Sequence, residues 1–136
     1  MIEEKITRKI TWAEVDSLCE KIKLEVQELN KPLDNIYPVQ RGGFIPATIL
    51  SHKLGLPIST DMKDVGPYSL IVDDISDTGT TLKKFKGLHI VCLHSRKGTL
   101  VKPLVSGETL EDKTWIIYPW ENLDAKKEQD YKKFLK

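Results

Sequence analysis

The stretch that most constrains this chain runs from Tyr68 to Thr81, read as Y-S-L-I-V-D-D-I-S-D-T-G-T-T. Ser69-Leu70-Ile71-Val72 is the pattern of a buried strand, and it runs straight into two acids, Asp73 and Asp74. A polar turn follows, Ser76-Asp77-Thr78-Gly79-Thr80-Thr81, with a short helical pattern starting at Leu82. Paired carboxylates accept hydrogen bonds from a vicinal diol or hold a divalent cation. A turn rich in backbone N–H groups and threonine hydroxyls at a helix N-terminus receives an anion. In that order the three pieces form a cradle for a sugar phosphate. The plainer alternative is a strand followed by a solvated acidic turn.

The rest of the chain supplies a scaffold for that cradle. Thr11-Trp12-Ala13-Glu14 has the form of a capping box. Trp12, Val15, Leu18, Cys19, Ile22, Val26 and Leu29 then recur at helical spacing, predicting an amphipathic helix to about Asn30, ended by Pro32. Asn35–Gln40 reads as a first central strand, although Pro38 is unfavourable in a regular ladder. Arg41-Gly42-Gly43 follows, and Phe44–Leu54 is helical, with Pro46 near its start and Gly55 as its stop. Strand, Arg-Gly-Gly and helix make a second anion-binding arrangement: the glycines admit backbone amides to a ligand and the guanidinium forks onto phosphate oxygens. Alone it is equally a plain turn with a surface arginine.

Pro57–Thr60 reads as a short strand, and Asp61–Pro67 as a loop. Leu88–Leu93 is a near-continuous apolar run, as in a strand covered on both faces. His89 and His94 flank it and are read as polar strand residues, because no spacing supports a metal site. Ser95-Arg96-Lys97-Gly98 is a basic turn, residues 99–113 carry no clear pattern, and Thr114–Tyr118 is another strand. The charged tail Asp124–Lys136 reads as a solvated helix. Strands alternating with helical segments predict an α/β fold, a Rossmann-like parallel sheet with helices on its faces. Ligands of such sheets bind outside the carboxyl ends of the strands. The Arg-Gly-Gly turn, the acidic turn and the basic turn all follow strands, so all three are expected on one rim.

Bulk properties bound the rest. A chain of 136 residues fits one domain, spanning residues 1–136, whose core needs no disulfide or metal staple. With 40% hydrophobic and 30% charged residues the composition is that of an ordinary globular protein, and a net charge of +1 gives no reason to expect nucleic acid or an acidic membrane as partners held by bulk charge. Cys19 and Cys92 are expected as core thiols. The charged start Met1–Lys5 has no apolar leader pattern and no apolar run reaches membrane-spanning length, so a cytoplasmic protein is expected.

Ile71–Thr81 resembles the phosphoribosyl-pyrophosphate loop of the type I phosphoribosyltransferases. Thr11-Trp12 is similar to that family's N-terminal helix start, Val39–Ala47 to its pyrophosphate loop, and Thr114–Glu121, T-W-I-I-Y-P-W-E, to the purine end of its 6-oxopurine members. The resemblance implies the type I phosphoribosyltransferase fold with a small C-terminal hood. It also implies transfer of a 5-phosphoribosyl group from phosphoribosyl pyrophosphate to guanine, xanthine or hypoxanthine, with Mg2+, in purine salvage. Carried over by position, Asp73 and Asp74 would bind the ribose hydroxyls and Mg2+, directly or through water. Ser76, Asp77, Thr78, Gly79, Thr80 and Thr81 would wrap the 5′-phosphate. Arg41, Gly42 and Gly43 would hold pyrophosphate, with a cis peptide at Gln40–Arg41. Asp77 would be the catalytic group facing purine N7. Trp115 would stack on the purine, backbone groups of Trp115 and Ile116 would read its edge, and Arg96 or Lys97 would donate to the 6-oxo group. A homo-oligomer, dimer or tetramer, is implied by the resemblance alone.

Three departures from the family pattern stand out. Asp61–Tyr68 is too short to form the long loop that closes over the site during reaction. The helix after Thr81 is cut to a turn or two. The purine-reading lysine falls in Ser95-Arg96-Lys97, where counting back from Trp115 selects Arg96 and residue type selects Lys97. Closure excludes water and completes the electrostatic site, so the shortened loop leaves a second expectation open. It is a non-catalytic or regulatory protein that binds a nucleotide or phosphoribosyl pyrophosphate.

Overall fold

The computed structural model describes residues 6–121. The tail expected as a helix and the charged start lie outside the described residues. The elements run β1 (Thr7–Lys9), α1 (Trp12–Leu29), β2 (Asn35–Pro38), α2 (Phe44–Leu54), β3 (Ser69–Ser76), β4 (His89–Arg96), β5 (Val105–Leu110) and β6 (Trp115–Ile117).

The capping box forms as read: the Glu14 amide donates to Thr11 Oγ1 at 3.1 Å, and the Thr11 amide donates to Glu14 Oε1 at 3.2 Å. Asn30 closes α1 in the left-handed conformation, with φ 51°. The apolar stripe buries Val15, Cys19, Ile22 and Val26, whereas Trp12 stays exposed at the helix start.

A four-stranded, all-parallel sheet is ordered β2-β3-β4-β5. The stretch read as a first central strand is therefore an edge strand. It ends at Pro38, and beyond it Ile58 adds a single parallel bridge to Ile36. An edge position also explains how Pro38 is accommodated. Residues 99–113, unread in the sequence, contain the opposite edge, β5.

Helices flank the parallel sheet as expected, and among the described residues both α-helices pack on one face. Leu70 and Val72 of β3 and Val91 and Leu93 of β4 turn toward Val15, Ile22, Ala47 and Leu50. The alternate residues Ile71, Ile90 and Cys92 turn toward Leu82, Phe85 and Val101. That second face is covered by a single 3-10 turn, Lys83–Phe85, and by the loop before β5. Both cysteines are buried and unpaired in these clusters. No helix among the described residues is long and apolar enough to cross a membrane.

The hood is a separate two-stranded parallel sheet in which β6 pairs with β1, a strand the sequence reading did not find. It brings Trp115–Ile117 to the sheet's C-terminal rim.

Candidate active site

Because β2, β3 and β4 are parallel, their C-terminal ends share one rim, and the segments leaving them line one cleft of about 1040 Å³. Arg41, Gly42, Asp73, Asp74, Ser76, Asp77, Thr78, Gly79, Thr81, Arg96, Trp115 and Ile116 all line it. So do Tyr118, Trp120 and Glu121, to which no role was given from sequence although they lie in or beside the motif quoted above. Gly43 is the buried end of the Arg-Gly-Gly turn, and it, the exposed Thr80 and Lys97 lie outside the lining.

The acid pair belongs to β3 itself, so the ladder fixes its backbone. Each carboxylate is anchored by the next amide: Asp74 N–H donates to Asp73 Oδ1 at 2.8 Å, and Ile75 N–H to Asp74 Oδ1 at 2.7 Å. Burial, and then the neighbouring Asp74 charge, raise the Asp73 carboxyl well above the usual carboxylate range; burial raises Asp74 as well. The Arg-Gly-Gly turn presses directly on this pair. A Cβ at Gly42 would fall on the Asp74 carboxylate, so any larger residue there would displace that carboxylate. The Gln40–Arg41 peptide is cis, as the resemblance implied.

The turn after β3 is shaped by long-range contacts. Gly79 has φ 89°, and a Cβ there would sit 2.6 Å from the Val101 amide nitrogen. The Leu100 amide donates to Thr78 O at 2.8 Å. Among the described residues, the backbone N–H groups of Asp77, Thr78, Gly79 and Thr81 meet no protein acceptor, so the loop offers a row of amides to an anion. Two expectations change here. The loop leads into one 3-10 turn, so no α-helix terminus lies behind the anion site. The Ser76 hydroxyl is buried and held by Thr99 Oγ1 at 2.8 Å and Val101 O at 2.9 Å, so it braces the loop from behind. Thr80 Oγ1 accepts from Thr78 Oγ1 at 3.1 Å.

Arg96, the last residue of β4, crosses the cleft floor. Its Nε donates to Asp77 Oδ1 at 2.7 Å, Nη1 to Asp112 O at 3.1 Å and Nη2 to Thr114 O at 2.6 Å. Lys97 is exposed, with its amide on Leu110 O at 2.9 Å. Of the two sequence candidates, Arg96 is the one in the cleft. The peptide groups of Trp115 and Ile116 face opposite ways by strand parity. The Trp115 amide is taken by Ile6 O at 2.7 Å, so it is not free to read a ligand. Ile117 O accepts from Ile10 at 2.9 Å. Peptide groups alternate sides along a strand, so the N–H and C=O of Ile116 point away from β1, on the cleft side.

No protein-family model matches the chain. It is 28% identical to the xanthine-guanine phosphoribosyltransferase of Vibrio atlanticus over 137 aligned residues, covering 82% of this chain and 87% of that one. A hypothetical protein from Neisseria gonorrhoeae, solved with bound ppGpp, matches with TM-score 0.76 at 20% identity, over 99% of this chain and 100% of that one; this likeness shows the fold. The crystal structure of a purine phosphoribosyltransferase from Pyrococcus horikoshii matches with TM-score 0.73 at 31% identity, over 88% of this chain and 97% of that one. With the parallel sheet, the acid-ended β3 and its anion loop in place, the chain belongs to the type I phosphoribosyltransferases, among the purine enzymes.

Proposed function

We propose that the protein transfers a 5-phosphoribosyl group from phosphoribosyl pyrophosphate to a 6-oxopurine. The observation that carries this reading is one cleft lined by the Arg41-Gly42 turn, the Asp73–Asp74 pair, the open amide row and the Asp77–Arg96 pair. The named relatives, xanthine-guanine and purine phosphoribosyltransferases, support the substrate class.

The 5′-phosphate sits on the amides of Asp77, Thr78, Gly79 and Thr81, with Thr78, Thr80 and Thr81 hydroxyls at its edge. Asp73 and Asp74 accept from the ribose hydroxyls, and the Arg41-Gly42-Gly43 turn faces pyrophosphate. The purine lies against Trp115, where base–aromatic stacking is worth about 1–3 kcal/mol, with its edge at Ile116. As a purine ring nitrogen bonds to ribose C1, the bond from C1 to the pyrophosphate oxygen breaks. The proton of the purine goes to Asp77, whose Oδ2 is left open by the Arg96 contact at Oδ1. Arg96 orients this carboxylate and ties it to the purine end through Asp112 and Thr114.

The acid pair fits Mg2+. Two adjacent buried carboxylates with raised proton affinity are hard oxygen donors in want of positive charge. Bound there with substrate, the ion would neutralise charge developing on pyrophosphate.

Incubation with phosphoribosyl pyrophosphate, Mg2+ and each of guanine, hypoxanthine, xanthine and adenine should yield nucleoside monophosphate with a 6-oxopurine. Asp77→Asn should lower kcat about 10²–10⁴-fold while phosphoribosyl pyrophosphate binding persists. Tight binding with no turnover on any base would overturn the enzyme reading in favour of a nucleotide-binding protein.

A further inference from the structure

Behind the acid pair runs a buried polar chain with no part in the reaction as described. Tyr118 is 2% exposed and stacks on Trp120, with ring centroids 4.7 Å apart and planes within 2°. Its hydroxyl donates to the main-chain carbonyl of Asp74 at 3.1 Å. A phenol has one proton, so the 2.7 Å contact with His94 must run the other way, from Nδ1–H to the Tyr118 oxygen. Nε2 of His94 is then bare and accepts from Arg8 Nη2 at 3.5 Å. Arg8 is held in turn by Glu108 through Nη1 at 3.2 Å and Nη2 at 2.5 Å. The tautomer agrees with the surroundings: His94 is wholly buried, and burial lowers its pKa to about 4, so the ring is neutral.

All the donors in this chain point one way, from Arg8 through His94 and Tyr118 to the carbonyl of Asp74. The N–H of that same Asp74–Ile75 peptide donates to the Asp74 carboxylate at 2.7 Å. One peptide plane is thus gripped at its oxygen by Tyr118 while its nitrogen aims the side chain. A hydrogen bond into the carbonyl also polarises the peptide and strengthens its N–H as a donor.

We propose that Tyr118 and His94 are positioning residues for the Asp74 carboxylate, acting through the Asp74–Ile75 peptide, and so set affinity for the ribose of phosphoribosyl pyrophosphate. The inference rests on the ribose role given to Asp74 above. Neither residue touches the reacting atoms in this scheme, so the signature is a split between substrates.

Tyr118→Phe keeps the ring and its stack and deletes both hydroxyl contacts. It should raise the KM for phosphoribosyl pyrophosphate about tenfold, roughly the worth of one well-placed hydrogen bond, and leave the KM for the purine within about twofold. His94→Leu should give the same split. His94→Asn, which restores a donor where Nδ1 stands, should return the KM for phosphoribosyl pyrophosphate to within about threefold of the native value. Urea midpoints of all three variants report loss of fold, and if His94→Leu does not fold, Tyr118→Phe carries the test. Equal rises in both KM values, an unchanged KM for phosphoribosyl pyrophosphate in Tyr118→Phe, or identical behaviour of the Asn and Leu variants would overturn the proposal. Native turnover is measured first. If the native protein binds phosphoribosyl pyrophosphate without turnover, the enzyme reading fails, and calorimetric dissociation constants decide the positioning claim. If it does not bind, both fall.

Discussion

A lysine at position 96 would reach one acceptor; the guanidinium reaches three, joining Asp77 to the carbonyls of Asp112 and Thr114. The Arg96 side chain is 15% exposed and Asp77 46%, so the pair is a partly screened strut rather than a surface ion pair, and its worth is mainly orientation. Arg96→Lys keeps the charge and removes the fork. It should lower kcat/KM for the purine about tenfold or more through a misaligned Asp77, while calorimetric affinity for phosphoribosyl pyrophosphate stays within about threefold. A variant with native purine kinetics would mean the fork is dispensable. Residue type favoured Lys97, and the extension of β4 to Arg96 puts Arg96 rather than Lys97 in the cleft. By contrast the place of Asp73, Asp74, Asp77 and Gly79 in the cleft was legible, because it follows from their position at and just beyond a strand end. That the Ser76 hydroxyl is engaged from behind was not legible, because its partners, Thr99 and Val101, come from a segment with no pattern of its own.

The segment 61–68 lies at the wrong end of the sheet to cover the cleft. Asp64 O accepts from Asn35 Nδ2 at 3.1 Å and from Ser69 Oγ at 3.2 Å, and these are the first residues of β2 and β3. The strands are parallel, so Asp64 marks their N-terminal edge, whereas the cleft is at the C-terminal rim. The segment is a pinned 3-10 turn, Met62–Asp64, and a lid from this position would need a longer chain. With no lid from this segment, water is expected to compete with the purine for the activated ribose carbon. With Mg2+ and no base, the protein should release pyrophosphate from phosphoribosyl pyrophosphate above the buffer rate, in an Asp73-dependent way; a zero rate would mean something else covers the site. The elements themselves were unevenly legible. α1 showed its cap and its stripe. β1 is Thr-Arg-Lys with no apolar residue, and β5 is interrupted by Gly107, so neither carries a strand pattern. Gly107 is small for a tertiary reason: a Cβ there would meet Leu93 O at 2.6 Å and Leu18 of α1 at 2.9 Å.

Across the whole molecule, two buried titratable sites shift stability in opposite senses with pH. His94 has a folded pKa of about 4, below its ordinary 6.5, so the unfolded chain takes up its proton first and stability is lost as pH falls through that window. Asp73 is the reverse. Its folded pKa is raised by burial and by Asp74, so the ionised pair weakens the fold at neutral pH. As pH falls through the raised value the native state takes up the proton first, and stability is regained until the unfolded carboxylate titrates near 3.8. Each unit of such a shift corresponds to about 1.4 kcal/mol. The fold thus holds a charge pair at a cost that a cationic or hydroxyl-rich ligand would offset. Asp73→Asn preserves the shape and the acceptor for the Asp74 amide while deleting the charge. It should raise the Tm at pH 8, by roughly 2–8 °C for each kcal/mol relieved, and the gap to the native protein should close as pH falls toward 4. His94 contributes equally to both proteins and cancels in that difference. The same variant should lose the Tm increase that phosphoribosyl pyrophosphate with Mg2+ gives the native chain. Thermal unfolding at several pH values, with and without ligand, reads both effects. A lower Tm for Asp73→Asn at pH 8 would show that the pair is not held at a cost, because removing a strained charge from an otherwise unchanged site can only relieve the fold.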